Sequence, residues 1–227
     1  MKTIRVKNFQ PSRDGFQFTN RFPGFPLPPA LEKFINVANS VHGLCGGMCY
    51  TVIDHYRAGA EVPKVDDVPE PDTPLYNHLK ERQFASWGLL NTRVLHYVRW
   101  MLYSNGKAQA DTLSSWQVVR KRLESDELTV LGLVYNDIRE SLRVWDNHQV
   151  LAHGYAEHDS GRIDIAVYDP NYPRRDDVVI RAKPVTVTRR SGEQVPGLEC
   201  QQLLGTKKVH DVHGFLVVPY RPAPPLK

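Results

Sequence analysis

The chain has 227 residues, of which 41% are hydrophobic and 24% charged, and its formal net charge is +4. This composition is typical of a globular protein, and the scattered Lys and Arg residues argue against a nucleic-acid-binding stripe. No apolar run approaches the ~20 residues that cross a bilayer, so we expect no membrane association.

The first 40 residues are predicted to form a strap and a short helix. Residues 3–7 alternate between apolar and polar side chains, which indicates a short strand. From 8 to 30 the chain is rich in proline, which prevents regular structure through most of the segment. We expect the rings of this stretch to insert into the folded body, with ligand or lipid binding as the alternative. They are Phe9, Phe16, Phe18, Phe22 and Phe25. A short helix is expected at 31–38.

Residues 41–126 are predicted to be a helical lobe. Apolar side chains recur at i, i+4 and i+8 from Met48 to Arg57, which indicates a helix with one buried face, and Gly59 should end it. A proline-rich loop at 60–75 leads to two further helices, at 75–84 and 89–103. The polar residues 111–115 are typical of an N-terminal cap, and the helix they open should turn Trp116, Val119 and Leu123 inward.

Residues 127–220 are predicted to be a sheet lobe. Strands are expected at 128–135, 149–155, 163–168, 178–181, 185–188 and 214–220. A hairpin connection at 157–162 joins the second strand to the third. Helices followed by strands, with no flexible linker between them, predict a single α+β domain over 1–227 with an antiparallel sheet.

The segment from His42 to Tyr50 carries the strongest candidate for a nucleophile. Cys45 stands in a glycine-containing turn that leads directly into a helix. A thiol at a helix N-terminus faces unpaired N–H groups and the positive end of the helix dipole, which favour the reactive thiolate. The adjacent Gly46 and Gly47 would also let a substrate approach.

The 157–162 hairpin provides partners for such a thiol. His148 stands just before one of its strands, and Asp169 ends the other. Antiparallel pairing about the hairpin turn should therefore bring His148 opposite Asp169 or Asn171. A carboxylate or amide beside an imidazole fixes its orientation, as the third member of a catalytic triad does. His153, an odd number of positions along the strand, should face the other way and is not expected to be catalytic.

The order of these motifs resembles that of papain-like cysteine peptidases. Cys45 followed by glycine and a helix, His148 leading into Gly154-Tyr155, and Asp169 followed by Pro170 are similar to the motifs of the bacteriocin-processing branch. The resemblance implies a papain-like fold and a cysteine-dependent hydrolase that cleaves a peptide or amide bond through an acyl-thioester.

That resemblance also implies residue roles. Cys45 would be the nucleophile, His148 the general base and acid, and Asp169 the orienting residue, with Asn171 as the alternative third member. The family carries an oxyanion-binding glutamine six residues before the cysteine, where this chain has Asn39. The shorter amide of Asn39, together with the backbone N–H of Cys45, would then form the oxyanion hole.

Several alternatives remain open at this point. Cys49 is a rival nucleophile, although its helical position predicts a buried thiol. Zinc binding by Cys45, Cys49 and either His42 or His55 would lack the paired Cys-x-x-Cys spacing of structural zinc modules, and we expect neither metal nor cofactor. The same triad would support acyl transfer to an amine, and an inactive papain-like binding protein would also carry these motifs.

The expected partner is a peptide or amide substrate, with no nucleic acid and no membrane. Residues 1–7 lack the apolar core of a signal peptide, and three cysteines do not form a disulfide framework. We therefore expect a reducing, cytoplasmic setting, with export by another route still open. The sequence does not indicate an oligomeric state.

Overall fold

Helices dominate the first half of the chain and an antiparallel sheet dominates the second. The computed structural model describes residues 1–23, 41–88, 92–135, 146–189 and 191–226. Within these ranges there are five helices and an eight-stranded antiparallel sheet, which confirms the predicted α+β class. The helix predicted at 31–38 and the ring of Phe25 lie outside the described residues.

The elements have the following bounds. The helices are α1 (Pro11–Asp14), α2 (Cys45–Ala58), α3 (Pro74–Trp87), α4 (Thr92–Met101) and α5 (Asn105–Glu124). The strands are β1 (Lys2–Arg5), β2 (Phe22–Pro23), β3 (Val41–His42), β4 (Thr129–Val134), β5 (His148–Glu157), β6 (Ile163–Tyr168), β7 (Val178–Thr188), β8 (Gln194–Leu204), β9 (Lys207–Val212) and β10 (Gly214–Val217).

The large sheet is strongly curved. Its strand order is β10-β4-β5-β6-β7-β8-β9, and β1 pairs with the end of β5 that β4 does not reach. The strands at its two edges, β9 and β10, are separated in sequence by His213 alone. The sheet must therefore curl until its edges approach each other. Helix α5 packs against both β8 and β10, so it fills the concave face.

The strap packs into this body as expected. The rings of Phe9, Phe16, Phe18 and Phe22 are all buried. Strand β2 pairs with β3, which places Phe22 opposite His42, just before α2. The N-terminal segment therefore lies against the chain that leads into the cysteine turn.

Helix α2 lies at the centre of the molecule. It packs between α3 and β5, and its residues from Gly46 to His55 are buried. Gly59 ends it in the left-handed conformation (φ 63°), and its N–H reaches the carbonyls of the last turn, as predicted. The helix begins at Cys45, three residues earlier than its apolar periodicity indicated, because Gly46 and Gly47 give no apolar signal.

Two sequence predictions were wrong in the later elements. Residues 111–115 are not a cap: α5 begins at Asn105, and the side chain of Ser104 caps it by accepting from the N–H of Lys107. The segments 178–181 and 185–188 form one strand. Pro184 has no N–H to donate, but it is tolerated because β7 pairs with β6 only as far as Ala182 and beyond that residue pairs with β8 alone. The inward positions of Trp116, Val119 and Leu123 are confirmed.

Candidate active site

Cys45 is the first residue of α2, with Leu44 in the N-cap position. Its side chain is partly exposed. The first N–H groups of a helix have no partner within it. Here the N–H of Gly47 donates to Gln83 Oε1 (2.9 Å), whereas those of Cys45 and Gly46 find no acceptor among the described residues. The thiol therefore lies beside two free N–H donors at the positive end of the dipole.

The two glycines after Cys45 have a packing role. A methyl group at Gly46 would clash with Ser86 Oγ and lie 2.8 Å from the amide of Gln149. One at Gly47 would clash with the backbone carbonyl of Leu79. Their small size thus allows α3 and β5 to approach the first turn of α2, and the expected role in substrate access stays a prediction.

The hairpin brings His148 and Asp169 together, as the sequence predicted. Leu151 pairs with Tyr168, a register that runs on to place His148 opposite Asn171. From this position His148 Nε2 lies 2.7 Å from Asp169 Oδ1, and both side chains are buried. Because a carboxylate oxygen can only accept, Nε2 carries the proton, and Nδ1 remains for another partner.

Cys45 lies close enough to His148 to influence the ionisation of the imidazole. Burial alone would lower the pKa of His148. The charges of Asp169 and Cys45, the hydrogen bond to Asp169 and the side-chain interaction with Cys45 outweigh it and raise this pKa to about 10. The imidazolium is therefore the favoured form of His148 at neutral pH.

Asp169 has further partners that sequence reasoning missed. Its Oδ1 also accepts from the backbone N–H of Asn171 (2.8 Å), and its Oδ2 accepts from Gln202 Nε2. Gln202 Oε1 in turn accepts from the hydroxyl of Tyr135 (2.7 Å), whose ring stacks on His148. The only sequence signal for Gln202 was its place at every second position after Leu198 and Cys200, where a strand would turn all three side chains to the same face.

Asn20, in the strap, is a second missed residue. Its Oδ1 accepts from the N–H of Leu44 (2.6 Å), and its Nδ2 donates to Asn171 Oδ1 (3.1 Å). Asn171 is thus engaged with the strap, and Asp169, not Asn171, contacts the imidazole. Asn39, the expected oxyanion donor, lies outside the described residues.

Cys49, the rival nucleophile, is buried and points to the backbone carbonyl of Gln149 (3.6 Å). Burial, with the charges of Cys45 and Asp169, raises its pKa well above the ordinary value, so the thiol stays neutral. His153 has other neighbours than these residues: it packs on Phe9, and burial lowers its pKa to about 4.

The alternative zinc site is not assembled. His42 stacks on Phe22 beside the hydroxyl of Tyr76, and His55 Nδ1 lies 2.9 Å from the carbonyl of Thr51 within its own helix. In the ranges that the structure describes, no three His, Cys, Asp or Glu side chains come together as metal ligands would. Zinc therefore gains no support from the geometry.

Comparison of the chain with protein-family models, curated proteins and solved structures gives no match. No described helix combines the length and apolar character that crossing a membrane requires. What the site does must therefore be inferred from its own geometry.

Proposed function

We propose that this chain is a cysteine-dependent hydrolase with a papain-like fold, acting on a peptide or amide bond. The observation that carries the proposal is the buried His148 Nε2–Asp169 Oδ1 contact of 2.7 Å, on an imidazole whose remaining nitrogen is left for a thiol at a helix N-terminus. A nucleophile, a base and an orienting carboxylate are the groups that acyl transfer requires.

The first half of the reaction forms an acyl-enzyme. The thiolate of Cys45 attacks the substrate carbonyl carbon, and the C=O π electrons move onto the oxygen. His148 then transfers its Nδ1 proton to the leaving nitrogen as the C–N bond breaks and the carbonyl re-forms. The amine departs, and the acyl group remains on sulfur as a thioester. Asp169 holds the imidazole in place and stabilises its positive charge.

The second half returns the free enzyme. Neutral His148 takes a proton from water, and the resulting hydroxide attacks the thioester carbonyl. Collapse of the tetrahedral intermediate breaks the C–S bond, which releases a carboxylic acid and regenerates the thiolate–imidazolium pair. An amine in place of water would give acyl transfer by the same steps. Hydrolysis yields a carboxylic acid and transfer yields a new amide, so analysis of the products identifies the acceptor.

The free N–H groups of Cys45 and Gly46 supply donors for the transient oxyanion. Both belong to the helix end that the nucleophile occupies, and neither has an acceptor among the described residues. Donors fixed by the backbone require no reorganisation as negative charge develops on the substrate oxygen. This pair provides an oxyanion site whether or not Asn39 contributes.

The proposal is tested by trapping the acyl-enzyme. The protein is mixed with p-nitrophenyl esters of N-acyl amino acids, quenched in acid and mapped by mass spectrometry. We expect an acyl adduct on Cys45 that decays in water, that is abolished in Cys45→Ala and that is retained in Cys49→Ala. An adduct that maps to Cys49 would contradict the assignment of Cys45 as nucleophile. No adduct on folded protein with any ester would contradict the proposal and favour a binding protein.

A further inference from the structure

Two side chains outside the proposed triad contact its buried members and each other. Gln202, in β8, is fully buried, and its Nε2 contacts Asp169 Oδ2. Its Oε1 accepts from the hydroxyl of Tyr135, at the end of β4 (2.7 Å). The Tyr135 ring lies nearly parallel to the imidazole of His148, at 17° with 6.5 Å between centroids. The side chains of Asp169, Gln202, Tyr135 and His148 thus form a closed cycle of contacts.

In this cycle of contacts, the donor and the acceptor of each hydrogen bond are fixed. A carboxylate can only accept, so the amide group of Gln202 that faces Asp169 must be its NH₂. The amide oxygen then faces Tyr135, whose hydroxyl must donate. Burial and the nearby charge of Asp169 raise the pKa of Tyr135 well above its ordinary value, so the hydroxyl keeps its proton at neutral pH. Each donor therefore holds its acceptor in one orientation.

We propose that Gln202 and Tyr135 are positioning residues, which align the Asp169 carboxylate with His148 and hold the imidazole against rotation. This inference rests on the proposed function. Gln202 restrains Oδ2, so Oδ1 stays directed at Nε2. The ring of Tyr135 lies nearly parallel to the imidazole, and it is itself packed against His210, 4.8 Å away between centroids.

The location of Gln202 supports this role. Neighbouring inward positions of β8, Leu198 and Cys200, carry apolar or weakly polar side chains, and Leu203 is also buried. A buried amide is tolerated only when its polar atoms are paired, and both atoms of Gln202 are paired with residues that contact His148. Strands β8 and β6 are not neighbours in the sheet, so the contact of Gln202 with Asp169 joins two parts of the sheet that backbone pairing does not connect.

The test uses Gln202→Leu and Tyr135→Phe, with Gln201→Leu as the matched control. Gln201 is the adjacent residue in β8, so its side chain points to the other face of the sheet. The rate of Cys45 alkylation by iodoacetamide is measured at neutral pH, and the His148 titration is followed by NMR of histidine-labelled protein, assigned with His148→Gln. Urea unfolding confirms that each variant is folded.

We expect Gln202→Leu to slow alkylation by about ten- to a hundredfold, the effect of losing a hydrogen bond to a charged group. The His148 titration should move down from about 10 toward the ordinary value, because the carboxylate is no longer held against Nε2. Tyr135→Phe keeps the aromatic ring but removes the hydroxyl that donates to Gln202, so it should have a smaller effect in the same direction. If Gln202→Leu does not fold, the result for Tyr135→Phe decides whether these residues position the site. Gln201→Leu should match the parent.

Unchanged alkylation and an unchanged His148 titration in the folded variants would overturn this inference alone. If alkylation of the parent does not depend on His148, the proposed function itself fails, and the two outcomes are thereby distinguished.

Discussion

Replacing Asn20 by alanine should disturb the site from a distance of 25 positions in sequence. The Asn20 side chain connects the turn before Cys45, through Leu44, to the turn after Asp169, through Asn171. Its backbone N–H also donates to the carbonyl of Pro170 (2.9 Å), which the substitution would preserve. Asn20→Ala therefore removes the side-chain connection and leaves the strap attached.

The expected loss of stability follows from the burial of the two partners. Leu44 is fully buried, and its N–H would be left without an acceptor, which destabilises by about 1–3 kcal/mol. The contact with Asn171 is exposed, so water replaces it at little loss. A total of about 2 kcal/mol would lower the Tm of a domain of this size by roughly 4–8 °C.

The assay pairs thermal unfolding with iodoacetamide labelling of Cys45, and uses Thr19→Ala as the control because Thr19 is exposed. We expect Asn20→Ala to melt earlier and, when folded, to label more slowly, since Leu44 no longer fixes the first turn of α2. If Asn20→Ala matched the control in both measurements, Asn20 would have no part in placing the thiol.

Three further changes have defined outcomes. Cys49→Ala should leave the labelling rate of Cys45 unchanged, and a large loss would mean that the buried thiol takes part in the chemistry. Gly47→Ala should destabilise by about 1–3 kcal/mol in urea, because the added methyl clashes with the carbonyl of Leu79, and parent-like stability would contradict that packing. The pKa of His153 is lowered to about 4, so its neutral form stabilises the fold above about pH 6.5, and that contribution is lost as pH falls toward 4. His153→Leu should therefore reduce the loss of stability between pH 6.5 and pH 4, and an identical pH dependence in parent and variant would contradict this.

The parts of the site that could be predicted from the sequence depend on local structure. The contact between His148 and Asp169 follows from a hairpin whose turn lies between them. The position of Cys45 near a helix N-terminus follows from the periodic segment just after it, although α2 begins three residues earlier than that periodicity indicated. In both cases the residues are fixed by the pairing or periodicity of the segment that contains them, so sequence spacing carries the information.

The remaining parts depend on contacts between distant segments. Gln202 reaches Asp169 only because β8 lies two strands from β6 in a curled sheet, and the sequence did not even indicate β8. Asn20 reaches Leu44 only because the strap folds back along the turn before α2. The cap at Ser104 was missed for a different reason: the polar run at 111–115 has the composition of a cap but lies inside the helix.

The central claim is that His148 holds Cys45 as a reactive thiolate, and the pH dependence of Cys45 alkylation tests it most directly. The rate of reaction with iodoacetamide is measured from pH 5 to pH 10 in the parent and in His148→Gln. Because the pKa of His148 is raised to about 10, the imidazolium is present across the neutral range, and the parent should react rapidly well below the ~8.5 at which an ordinary thiol ionises. His148→Gln should react only as the pH approaches that ordinary value. Coincident profiles for the two proteins would contradict the claim.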